Sequence, residues 1–307
     1  ADTCSANNRE PFEIYGKTDM RTEDKKTTRT DDVITVLTQY KDEHEVVAWK
    51  RLKYAIQALS GYWVGKRVTD INIPSCRQYI AFRMDAGVTL STIARELSCL
   101  RAACNHALRW ERIDKVPSFE IPTDLPKREI WLFKDELKRL IDAADPTMKL
   151  FIRLAYGTGS RRAAIEQLQW DQLNFQRKTI NLAKLGEKST CKRRPTVPMG
   201  DLFPILEQRF AKKENEWVLG SGRDLLYDFQ KTLSKADLLS VGSINGRPSG
   251  KVTPHVLRHS RATHLLEDGA SIFAVSKLLG DTPTTVQRVY GHIGMSSLEA
   301  ELSKSTL

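Results

Sequence analysis

Long apolar runs are missing from this chain. No stretch approaches the roughly 20 residues that a membrane-spanning helix needs, and the polar N-terminus carries no apolar core of a secretory signal. A cytoplasmic protein with no membrane partner is therefore expected. Cysteine is scarce too. Cys4, Cys76, Cys99, Cys104 and Cys191 make an odd set with no C-x-x-C pair and no Cys/His cluster at metal spacing. That pattern suits reduced thiols and argues against a disulfide framework or structural zinc. Negative charge is in deficit: 38 Asp and Glu face 48 Lys and Arg, a net charge of +10. Such an excess points to a polyanionic partner, nucleic acid above all.

What is present fits a globular protein. At 307 residues and 40% hydrophobic content, the chain can bury two cores. Residues 1–30 are polar and end in Lys25-Lys26-Thr27-Thr28-Arg29-Thr30, which reads as a loose arm. Apolar residues at three- and four-residue spacing then predict four helices over residues 31–116. One carries Val33, Val36, Leu37 and Tyr40, and the next runs to a stop at Gly61. Pro74 opens a third, and the fourth carries Ile93, Leu97, Leu100, Cys104, Ala107 and Leu108. Arg95, Arg101 and Arg109 lie on its polar side, either as a solvated face or as phosphate contacts. Pro117, Pro122 and Pro126 mark a linker over residues 117–128, semi-extended because proline disfavours helix. Residues 129–307 form the second domain. Helices are predicted at Lys134–Ala144 and from Thr147 to Tyr156, followed by a Gly157–Ser160 turn and a helix through Ala163, Ile165 and Leu168. Strand-like alternation covers residues 173–198, and a Gly-rich loop with Gly242, Gly246 and Gly250 follows later.

The residues with chemical potential cluster in this second part. Thr158-Gly159-Ser160-Arg161 precedes a helical pattern, and Gln167-Leu168-Gln169-Trp170-Asp171 trails it. Lys188-Ser189-Thr190-Cys191-Lys192-Arg193-Arg194 is a basic loop before Val197-Pro198. His255 and Arg258, three apart, share one face of a helix turn, with His259 and His264 further along the same helix. Tyr290 follows after Leu278-Leu279-Gly280-Asp281. Cutting a phosphodiester without a metal needs an in-line nucleophile, cations on the non-bridging oxygens, an acid for the leaving oxygen and a group to manage the nucleophile's proton. Candidates for each occur here in one order along the chain.

From about Asp31 to Tyr290 the chain resembles the tyrosine recombinases, the phage-integrase family. The resemblance rests on T-G-x-R at Arg161, H-x-x-R at His255 and Arg258, and the Val286–His292 segment around Tyr290. It implies a mainly α protein with a small antiparallel β-sheet, a helical core-binding domain plus an α+β catalytic domain. It implies a site-specific recombinase that works through a 3′-phosphotyrosine on Tyr290, without metal, ATP or other cofactor, as a homo-tetramer on double-stranded DNA passing through a Holliday junction. Its setting would be the nucleoid of a bacterial or phage-infected cell. Arg161 and Arg258 would clamp the phosphate. His255 would hold it or take the proton of Tyr290. Lys192, or else Lys188, would be the general acid. Lys188, Arg193, Arg194, Arg95, Arg101 and His259 would contact DNA, and Ser296–Leu302 would dock on a neighbouring subunit.

Two positions depart from the family pattern. Asp281 stands where a hydrogen-bond donor is usual, and an ionised carboxylate cannot donate. Ala164 stands where many members carry an acid. One expectation is that Asp281 orients His255 or an arginine, partly standing in for the missing acid; the other is that it is a neutral replacement. A catalytically impaired DNA-binding protein of the same fold and a type IB topoisomerase-like strand cleaver are the alternative readings.

Overall fold

A computed structural model describes residues 29–43, 49–125, 130–183, 194–245 and 247–291. The chain divides into two compact units, Ala1–Pro126 and Lys127–Leu307. Among the described residues no helix is long and apolar enough to cross a membrane.

The first unit holds α1 (Val33–Glu43), α2 (Trp49–Trp63), α3 (Ile73–Asp85) and α4 (Leu90–Arg109). The long α4 is the hub against which the other three pack. Its buried stripe of Ile93, Leu97, Leu100 and Cys104 meets Val33, Leu37, Leu59, Trp63 and Tyr79. Helix α2 runs two residues past Gly61, because the fully buried Trp63 belongs to this core. Leu108, expected on the buried stripe, is 39% exposed in the last turn of α4. Asn72 starts α3: its side chain accepts from the Ser75 amide at 2.9 Å, and the Ser75 hydroxyl accepts from the Asn72 amide at 2.9 Å. This reciprocal cap satisfies amides that the first turn leaves without partners.

A carboxylate is buried in this core. Glu96 on α4 is 4% exposed. It accepts from the Tyr79 hydroxyl at 2.7 Å and from Arg83 at 2.8 and 3.1 Å, both on α3. Glu96→Ala strands an arginine and a phenol in a dry interface, so we expect a loss of about 3 kcal/mol. Urea unfolding of the full chain, followed through the first unit's tryptophans, measures it.

The second unit is built around α6 (Pro146–Thr158), with Asp145 capping it at 2.9–3.0 Å from two amides and Pro146 in its first turn. Met148, Leu150, Phe151, Ile152, Leu154 and Ala155 bury most of its circumference. Packed on it are α5 (Lys134–Asp142), the short α7 (Arg162–Glu166), α9 (Leu226–Lys235) and α10 (Pro254–Glu267). Helix α8 (Phe203–Phe210) lies at the edge of the same core, where Leu206 is fully buried. Strands β1 (Leu173–Asn174), β2 (Thr179–Asn181) and β3 (Thr196–Pro198) form an antiparallel sheet in that order, with Ile180 opposite both Leu173 and Val197. The region read as a Gly-rich loop contains a second small ladder, β4 (Ser240–Val241) with β5 (Gly250–Lys251). The unit closes with α11 (Ile272–Leu279) and α12 (Pro283–Tyr290), which share with α10 a small core of Ala262, Leu266, Val275, Leu279 and Val286.

Candidate active site

Arg258 sits at the centre of the site. Helix α10 presents Val256 and Leu257 to the large core. It is pinned by Ser260, whose hydroxyl accepts from the Leu132 amide and donates to the Val256 carbonyl, each at 2.8 Å. Those contacts fix the turn that carries Arg258, which is 3% exposed. A buried guanidinium needs acceptors. Nη1 donates to the Gly159 carbonyl at 2.8 Å and to the Leu279 carbonyl at 2.9 Å, and Nη2 donates to Asp281 Oδ2. Gly159 caps the C-terminus of α6, and Leu279 is the last residue of α11. The cation thus closes the negative ends of two helices. Burial pushes the Arg258 guanidinium below its ordinary value and the Asp281 carboxylate raises it again. An arginine starts so high that it stays charged throughout.

Glycine is required at the first of these helix ends. Gly159 has φ +62°, and a Cβ there would stand 2.6 Å from Leu279 Cδ2. The Gly157–Ser160 turn is correspondingly shorter than expected: α6 continues through Gly157 and Thr158 and ends on Gly159.

Two residues after Gly159, Arg161 reaches the same carboxylate. Its Nη2 donates to Asp281 Oδ1 at 3.0 Å. One oxygen of Asp281 therefore serves Arg161 and the other serves Arg258, and the carboxylate spans both guanidiniums. The Arg161 side chain is 32% exposed and that of Asp281 25%, so this pair of cations opens to solvent on the Arg161 side. Ala164 is buried and brings no acid. The nearby Glu166 is buried as well, but it accepts from the Leu225 amide at 2.8 Å and from Arg162 at 3.3 Å.

Tyr290 ends α12 and is 6% exposed. Its hydroxyl lies 2.7 Å from His259 Nδ1. The two rings are 5.6 Å apart, and His255, one turn earlier on α10, meets His259 edge-on at 4.7 Å. Burial first, then the His255 and Arg258 charges, lowers His259 to about 4, so its ring is neutral at physiological pH. Tyr290 in turn acts on the Arg258 charge.

The structure thus brings Arg161, Arg258, Asp281, His255, His259 and Tyr290 into one site. His259, assigned to DNA contact from the sequence, stands against the Tyr290 hydroxyl. The signal was its place one helical turn after His255, which puts both rings on one face of α10. His264 joins the Tyr156 hydroxyl at 2.9 Å between α10 and α6, a packing role. Arg194 is half-buried just before β3, and Arg95 and Arg101 are exposed on α4 of the first unit. Lys188, Lys192, Arg193 and the 296–302 segment lie outside the described residues. Among the described residues no group of three or more His, Cys, Asp or Glu side chains is arranged to hold a metal ion.

A sequence profile of the phage integrase family matches residues 131–296, which takes in every residue of this site. The chain belongs to the phage integrase family. Among related family members, the tyrosine recombinase XerC of Pediococcus pentosaceus is 25% identical over 256 residues, covering 76% of this chain and 80% of its own. The tyrosine recombinase XerA of Thermococcus kodakarensis is 28% identical over 243 residues, covering 78% and 83%. In fold, this integrase-family chain is similar to the Tn1549 transposon integrase in complex with transposon right end DNA. The TM-score is 0.72 at 16% identity, over 89% of this chain and 99% of that one. A lambda integrase dimer bound to a COC′ core site gives 0.66 at 17% identity, over 85% and 78%.

The neutral ring of His259 has a consequence for stability. In the unfolded chain its ordinary value is near 6.5, so between there and about 4 the unfolded state binds the proton more readily. The contribution is complete above the unfolded value and is lost as pH falls toward 4, up to about 3 kcal/mol. Thermal unfolding between pH 7 and 4.5 checks this: wild type loses stability more steeply than His259→Asn.

Proposed function

We propose that the chain is a site-specific DNA recombinase that cuts and rejoins strands through Tyr290. The observation that carries this reading is the convergence of Arg161, Arg258 and the Tyr290 hydroxyl in one solvent-reached site, from three separate stretches of sequence. Two guanidiniums a single carboxylate apart can clamp two non-bridging oxygens of one phosphate. They neutralise the charge that grows on those oxygens as the phosphorus becomes five-coordinate.

In the first step the Tyr290 oxygen bonds to phosphorus and the bond from phosphorus to the 5′ oxygen breaks. The leaving oxygen takes a proton from Lys192 or, failing that, Lys188. His255 holds the phosphate or receives the phenolic proton. The product is a 3′-phosphotyrosine and a free 5′-hydroxyl. Attack by the 5′-hydroxyl of a partner strand reverses the step. One phosphoester is exchanged for another at each stage, so no ATP is consumed, and the guanidiniums supply the positive charge that a metal would otherwise bring. Exchanging both strands of two duplexes takes four cleavages with one tyrosine per chain, hence a tetramer. Double-stranded DNA is the partner, which the net charge of +10 favours and which the Tn1549 and lambda proteins bind in their complexes. The nucleoid is the setting.

Asp281 is assigned to holding the two arginines side by side, where a carboxylate keeps two like charges from repelling. Replacing it by alanine is expected to slow strand cleavage about 10- to 100-fold while DNA retention on a filter is undiminished. Cleavage at the wild-type rate would make Asp281 a neutral replacement.

The same contact favours one other reading, a DNA-binding protein with a closed site, because Asp281 already occupies both cations. Denaturing capture separates the two. Cells expressing the protein are lysed in detergent, and DNA still attached to the protein is sequenced. Wild type is expected to carry DNA with a common sequence at the joint, and Tyr290→Phe none. No adduct with either form would leave the binding protein.

A further inference from the structure

We propose that His259 is the positioning residue of the nucleophile: its Nδ1 accepts the Tyr290 hydroxyl hydrogen and so sets which face of the oxygen is free to attack. This goes beyond the recombinase reading and rests on it.

The geometry carries the argument. The hydroxyl oxygen and Nδ1 are 2.7 Å apart, 31 residues apart in the chain. Neither partner is free to wander. His259 follows the buried Arg258 and precedes Ser260, whose hydroxyl binds the Leu132 amide. The Tyr290 ring belongs to the small core that also holds Ala262, Val275, Leu279 and Val286. His255 meets the His259 ring edge-on at 4.7 Å.

The chemistry follows from the charge state. A neutral imidazole carries one ring proton. With burial opposing a charge on the ring, and His255 and Arg258 adding to it, the ring stays neutral at physiological pH, and the proton belongs on Nε2 if Nδ1 is to accept. A phenol oxygen has one hydrogen and two lone pairs. Directing the hydrogen at Nδ1 turns the lone pairs away from α10. A ring held this far below its ordinary value is a poor base toward the free phenol, so its contribution before attack is aim. As the oxygen bonds to phosphorus the phenol becomes strongly acidic, and its proton passes along the same hydrogen bond toward His259 and the neighbouring His255. Misplacing a reacting atom by about 1 Å costs up to about 100-fold in rate, which sets the size of the effect.

Three substitutions separate aim from bulk. Asparagine can place its side-chain oxygen where Nδ1 stands, glutamine reaches instead toward Nε2, and alanine offers nothing. The substrate is the duplex recovered by denaturing capture with wild type, nicked near the joint so that cleavage becomes irreversible. His259→Ala and His259→Gln are expected to lower the single-turnover rate about 10- to 100-fold with DNA affinity unchanged, and His259→Asn to recover most of it. A DNA-free arm uses 15N-imidazole NMR of the full chain. At pH 7 His259 is expected as the Nε2–H tautomer, with an Nδ1 signal that shifts when Tyr290 is replaced by Phe.

Equal losses for Asn and Ala, a wild-type rate for Ala, an Nδ1–H tautomer, or an Nδ1 signal indifferent to Tyr290→Phe would each overturn the proposal. If wild type itself cleaves nothing, the recombinase reading fails, and the NMR arm still decides whether His259 holds the hydroxyl.

Discussion

The site depends on one buried cation. Arg258 sits almost wholly out of water, where an unpaired guanidinium would cost far more than the few kcal/mol by which a domain is stable. Everything around it answers that requirement. Two helices end against it and give it their final carbonyls, those of Gly159 and Leu279, and Asp281 gives it a negative charge. Because α6 and α11 stop at the same guanidinium, the stretches that follow them, with Arg161 and Asp281, start from the same point. The second guanidinium is placed as a consequence of satisfying the first.

In the proposed recombinase, the carboxylate between the two arginines that would clamp the phosphate has two effects. Asp281 holds Arg161 by one oxygen and Arg258 by the other, so on that reading little reorganisation remains for the transition state, and preorganised charge is the largest single contribution to many enzymes' rates. It also means that a phosphate entering the clamp meets a carboxylate already there. The chain gains order at the cost of competition, and the 32% exposure of Arg161 is the side from which a phosphate can share the cations. Tyr290 approaches along α12, and the neutral His259 meets its hydroxyl. Neutrality of that ring comes first from its burial and then from the charges of His255 and Arg258.

Much of this was readable in the chain. The apolar spacing along α4 revealed its buried face, and H-x-x-R on one helical face placed His255 and Arg258 together. Where the reading went astray, a longer-range contact decided. Gly157 looked like a turn, yet α6 continues through it because its C-terminal carbonyls are needed at Arg258. Gly61 looked like a stop, yet Trp63 beyond it is core. Helix α9 showed no distinct signal, since its buried Phe229, Thr232 and Leu233 are few and one is polar. Asp281 was expected to orient His255 or an arginine and in fact serves two arginines, while His259, read as a DNA contact, meets the Tyr290 hydroxyl; these partners lie 120, 23 and 31 residues away. Local pattern carries no information about pairings at such distances.

The central claim is that Tyr290 becomes joined to DNA. Mass spectrometry of the trapped adduct after nuclease and trypsin treatment tests it most directly. The account predicts a nucleotide-3′-phosphate on Tyr290, in the peptide that begins at Val289. A nucleotide on any other residue, or an unmodified Tyr290 in protein that has cleaved its DNA, would contradict it.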